Sequence, residues 1–136
     1  MPAHSSVFPW SPYYGHFQFF EDRIRSHGSV IDLTSLSNGL YDVKRKKGKN
    51  LRVFICECYS FGFAEYIETS QKLGHLDVII INSAWCGYTI DTKYHCYSMK
   101  VGLYNISEFM KSLKMDAFWS YLDDRQTETF VERGWM

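Results

Sequence analysis

Residues 52–62 read RVFICECYSFG, and Glu57 stands inside an otherwise apolar run. Such a run predicts a buried β-strand. A carboxylate there costs several kcal/mol unless a cation, a hydrogen bond or water meets it. Side chains alternate along a strand with period two. Val53, Ile55, Glu57 and Tyr59 therefore share one face, and Phe54, Cys56 and Cys58 the other. Upstream, GLYDV (39–43) predicts a second strand, joined to the first by the basic, glycine-containing KRKKGKN (44–50). The pair predicts a hairpin. Asp42 lies on its first arm. An Asp and a Glu on neighbouring strands can converge on one point, where they repel unless a cation joins them. A hard ion such as Mg²⁺ suits carboxylate oxygens, activates water and stabilises charge on a phosphate.

The remaining elements follow from periodicity. In HFQFFEDRIRSHG (16–28), Phe17, Phe20 and Ile24 fall on one helical face, and Gly28 is a natural stop. SVIDLTS (29–35) predicts a short strand. In FGFAEYIETSQKLGHL (61–76), Phe63, Tyr66, Ile67 and Leu73 share a helical face that Gly74 ends. DVIIINS (77–83) lacks polar alternation, which predicts a strand buried on both faces of a parallel sheet. A helix is expected over 90–99, then a strand in VGLYNI (101–106). In NISEFMKSLK (105–114), Asn105 and Glu108 form a capping-box pattern. The tail, 115–136, predicts a helix around DAFWSYLDD (116–124). All three prolines fall within residues 1–15, which predicts an extended aromatic arm packing on this domain or on a partner.

This order, read through RIRSHGSVIDLTSLSNGLYDVKRKKGKNLRVFICECYS (23–60) and LDVIIINSAWCGYTIDTKYHCYSMKVGLYNISEFMKSL (76–113), resembles the PD-(D/E)xK restriction-endonuclease-like superfamily, most of all its Mrr-type branch. The resemblance covers about residues 16–114. It implies an α/β fold, a restriction-endonuclease-like mixed central sheet flanked by helices. It also implies Mg²⁺-dependent phosphodiester hydrolysis on nucleic acid. Asp42 matches the family aspartate and Glu57 the family acidic residue, so both are expected to hold the metal. The family lysine is replaced by Tyr59, which carries no cation at neutral pH. Lys72 and Lys44 are the candidates for its role. The expected function is a nuclease-like, nucleic-acid-binding module of defence or DNA-processing character with a decayed motif. The alternative is an inactive pseudo-nuclease serving as an interaction subunit of a larger complex.

Charge is balanced, 15 basic residues against 15 acidic, so any electrostatic case for nucleic acid is local. It lies in Lys44, Arg45, Lys46, Lys47, Lys49 and Arg52, read either as a phosphate-contacting turn or as a solvated one. Contact with phosphates would weaken with salt. DNA is favoured over RNA, and a homodimer or larger protein partner fits the 18% aromatic content. INSAWCGYT (81–89) has the look of a thioredoxin-like redox turn. Thr89 stands where the second cysteine belongs, and no proline follows Pro12, which counts against it. The four cysteines lack zinc-site spacing. The absence of an apolar leader, or of an apolar run near eighteen residues, predicts an intracellular, cytoplasmic protein that does not enter membranes.

Overall fold

The structure is a computed structural model that describes residues 7–12, 17–37, 39–82 and 86–136. In chain order its elements are α1 (Gln18–Arg25), β1 (Val30–Ser37), β2 (Leu40–Arg45), β3 (Leu51–Cys56), β4 (Ser60–Phe61), α2 (Phe63–Leu73), β5 (Val78–Ile81), β6 (Gly87–Tyr88), α3 (Ile90–Ser98), β7 (Gly102–Tyr104), α4 (Ile106–Ser112) and α5 (Asp124–Glu132). Five strands form one mixed sheet in the order β1-β2-β3-β5-β7. β2 is antiparallel to both neighbours, while β3, β5 and β7 run parallel. β4 and β6 form a separate two-stranded parallel ribbon that the sequence pattern did not announce.

Helices flank both faces, so each strand of the sheet centre is apolar on both sides. Phe20 and Ile24 of α1 and Phe109 of α4 cover one face, packing with Tyr41, Val43, Val53, Ile55 and Ile80. The other face holds Phe54, Cys56, Ile79, Ile81 and Leu103, covered by Cys96 of α3 and by Tyr66 and Leu73 of α2. All four residues of β5 are buried, as its unbroken apolar run requires. α2 ends at Gly74, whose φ of 74° is the left-handed conformation that glycine adopts cheaply. The described part of the arm packs on its own domain. Phe8 stacks on Phe54 at 5.8 Å, and Trp10 meets Phe61 edge-on at 6.0 Å. The rest of that arm, 1–6 and 13–15, lies outside the described residues.

The tail departs from its pattern. Residues 115–123 are turns and extended chain, and the helix begins at Asp124, inside the charged stretch. Local capping decides this. Asp123 accepts from the Gln126 amide at 2.8 Å, and Gln126 Oε1 accepts the Asp123 amide at 3.2 Å. Upstream, the aromatic residues serve packing instead. Phe118 is buried in the α1–α4 core, with Trp119 and Tyr121 against it.

Candidate functional site

The hairpin register decides whether two carboxylates meet. Leu40 pairs with Phe54, Tyr41 with Val53, Asp42 with Arg52 and Val43 with Leu51. Partners across a sheet share a face. Asp42 therefore sits with Leu40, Phe54 and Arg52, on the side where α2 and α3 pack. Alternation through Val53 and Ile55 assigns Glu57 to the opposite side. Asp42 also lies opposite Arg52, roughly 16 Å along the strand from Glu57 at strand rise. The expected convergence of Asp42 and Glu57 does not occur, and the pair does not fit one shared Mg²⁺. Asp42 is exposed on a part of the sheet that the helices leave bare. Among the described residues, no group of three or more His, Cys, Asp and Glu side chains is placed to hold a metal ion.

Glu57 follows the end of β3. Its Oε2 accepts from Asn82 Nδ2 at 2.8 Å, and its amide donates to the Trp10 carbonyl at 2.8 Å. The half-buried carboxylate is thus met by the residue that follows the neighbouring parallel strand. Tyr59 lies beyond β3, 73% exposed, so the period of two no longer ties it to the face of Glu57. Lys72 pairs with Glu68 at 3.0 Å and lies over the Phe8 ring at 4.8 Å. Lys44 is exposed on the Asp42 side of β2, opposite Asp32. Among the described residues neither lysine forms an ion pair with Glu57. Trp85, read as part of a redox turn, lies outside the described residues.

The basic turn divides into structural and surface cations. Arg45 is buried, 5% exposed. Its Nε donates to the Lys49 carbonyl at 3.1 Å, and Nη1 donates to the carbonyls of Met115 at 3.0 Å and Leu113 at 3.4 Å. It therefore satisfies carbonyls left over at the end of α4 and ties the hairpin to them. Burial draws its pKa down, while Asp116 and Asp77 oppose the shift. Arg45 is thus a fastener rather than the phosphate-contacting residue expected of it. Lys49 is also engaged, reaching Asp77 at 2.7 Å. Burial raises the Asp77 carboxyl, but the Arg52 amide and Lys49 more than reverse this and hold it below its ordinary value. Lys44, Lys46, Lys47 and Arg52 remain exposed. A cleft of about 310 Å³ opens beside the turn, lined by Ser29, Lys46, Lys47, Lys114 and Asp116, with Arg45 in its wall. Lys114 was not legible as a site residue, because only the fold brings the end of α4 to the hairpin.

A second polar cluster surrounds a cavity of about 510 Å³ between the 86–90 segment, α4 and α5. Tyr88 OH donates to Glu108 Oε1 at 2.8 Å and accepts from Gln126 Nε2 at 2.7 Å. Behind them Lys93 is buried, its Nζ 2.7 Å from the Leu103 carbonyl and 4.0 Å from the Tyr104 ring centroid. The bond fills a carbonyl on the outer edge of β7, the last strand of the sheet. Burial lowers the Lys93 pKa from 10.5 to about 8, against the pull of Glu108.

That shift makes a stability prediction. Between the two pKa values the unfolded chain keeps a proton that the folded chain releases, so this group stabilises the fold more as pH rises. At 1.36 kcal/mol per unit the gain is on the order of 3 kcal/mol. Buried Cys56, Cys58 and Cys96 act oppositely, since burial raises their thiols and the unfolded chain loses those protons first. Comparing wild type with Lys93→Met in urea from about pH 7 to about pH 10 cancels the thiols. The difference is expected to move in favour of the wild type with rising pH. A difference that stays constant would show that Lys93 does not titrate early.

Among the described residues no helix is long and apolar enough to cross a membrane. No family model, curated protein or solved structure matches the chain.

Proposed function

We propose that this chain is a nucleic-acid-binding module of restriction-endonuclease-like type, which engages phosphates through the β2–β3 turn and does not cut through an Asp42–Glu57 metal pair. The element order α1-β1-β2-β3-α2-β5-α3-β7-α4 supports the fold reading, since it is the order that the resemblance implies. One observation carries the functional part. In a chain of zero net charge, Lys46, Lys47 and Lys114 gather from two distant segments around one cleft. None of the three takes part in an ion pair among the described residues. Concentrated cations on a neutral protein give binding that depends on phosphate and salt rather than on base sequence.

Fluorescence anisotropy with labelled duplex DNA at several salt concentrations tests this. The variant with Lys46, Lys47 and Lys114 all changed to alanine is expected to bind more weakly to every sequence. Its log–log salt slope should flatten by up to about three units, at roughly 0.9 per phosphate. Unchanged binding would remove the role. Parallel incubation with Mg²⁺ or Mn²⁺ is expected to give no cleavage that depends on Glu57. Cleavage lost in Glu57→Ala would restore a hydrolytic reading by another metal arrangement. The side chains of Phe63 and Ile67, exposed on α2, favour a second reading as an interaction subunit, which absent DNA binding would support.

A further inference from the structure

We propose that the cleft beside the β2–β3 turn seats a terminal phosphate monoester of a nucleic-acid strand, in preference to phosphates within it. The inference rests on the nucleic-acid reading above. Three separate segments bound the cleft: residues 28–29 before β1, residues 45–47 at the end of β2, and residues 113–116 after α4. Its cations come from two of these, Arg45, Lys46 and Lys47 on the hairpin and Lys114 after α4, so they face one hollow from two segments instead of forming a single row. A row would suit a backbone passing by. A hollow flanked in this way suits a group with chain on one side only.

Charge points the same way. Arg45, Lys46, Lys47 and Lys114 stand against Asp116, which leaves a local balance of four minus one, or +3. A monoester carries about −1.5 to −2 at neutral pH, against one charge on an internal phosphate. The cations thus discriminate in favour of the end. The carbonyls at the end of α4 would repel an anion, but Arg45 covers two of them, those of Leu113 and Met115. Ser29 adds a hydroxyl to the wall, and at Gly28 an added Cβ would meet nothing within 4 Å, so the entrance is open there.

Three labelled oligonucleotides of one sequence test the proposal: 5′-phosphorylated, 3′-phosphorylated, and hydroxyl at both ends. Affinity is expected to be about tenfold higher for a phosphorylated end, and Lys114→Ala is expected to weaken all three and to bring the ratio of phosphorylated to unphosphorylated affinity down to one. Equal affinity for all three would overturn the inference and leave the binding reading standing. A preference that survives both Lys114→Ala and Lys47→Ala would place the phosphate elsewhere and also overturn it. Binding of none of the three would overturn both readings together.

Discussion

Arg45→Ala should lower folding stability by about 3–5 kcal/mol, whereas Lys47→Ala, two residues on, should cost less than about 0.5. The two cations belong to one basic run, yet only Arg45 is buried. Its removal strands the buried carbonyl of Leu113 and the partly buried carbonyls of Lys49 and Met115. Hydrogen bonds from a charged donor are worth about 1.5–3 kcal/mol each, and stranded acceptors add their desolvation. Arg45 also lies over the Phe118 ring at 5.5 Å, so packing is lost with the charge. Arg45→Lys should recover little, because an ammonium cannot span carbonyls that a planar fork reaches with two different nitrogens. Urea midpoints of the three variants at unchanged m-value measure the effect. Similar midpoints for Arg45→Ala and Lys47→Ala would show that Arg45 is as solvated as its neighbours.

Gly39→Ala should be about as damaging, at roughly 3 kcal/mol or more. Gly39 has φ of 76°, and a Cβ there would collide with the carbonyl oxygen of Ile55. Its own carbonyl accepts the Ile55 amide at 2.8 Å, so the two backbones cannot part without losing that bond. Side chains of Phe54 and Phe17 close the remaining space at 3.4 and 3.5 Å. Gly28→Ala supplies the contrast, since its added methyl meets nothing within 4 Å, and it should be nearly neutral. Thermal unfolding of both variants separates them. A small shift for Gly39→Ala would mean that the strands slide apart at little cost.

Much of the fold was legible where one local signal met no competitor. Phe17, Phe20 and Ile24 marked the buried face of α1, and the unbroken run Val78–Ile81 marked a doubly covered strand. Asn105 and Glu108 form the reciprocal bonds their spacing predicts, at 2.8 Å each. The last helix was expected around DAFWSYLDD, whereas α5 starts only after the cap at Asp123. Buried Lys93 gave no warning, since a lysine on a helix reads as solvated.

The candidate site was less legible, for a geometric reason. Period two correctly assigned the faces of β3, but whether Asp42 shares a face with Glu57 depends on pairing across the turn. In the observed register, even-numbered residues of β2 oppose even-numbered residues of β3. Asp42 and Glu57 differ in parity, so no alternation within either strand could unite them. A shift of one residue in the partner of Asp42 would have reversed that result. Turn conformation sets this register, and the spacing of KRKKGKN does not specify it.

The bond from Arg45 to Met115 spans 70 residues of chain. The lysine-bearing turn is consequently not a portable motif. A synthetic hairpin covering residues 40–56 would keep most of its positive charge but lose the wall that gives this charge a shape. During synthesis, too, the turn emerges long before its fastening point. The cleft comes into being only when the last third of the chain has arrived, so recognition by shape is a late property of folding, while attraction by charge is present from the start.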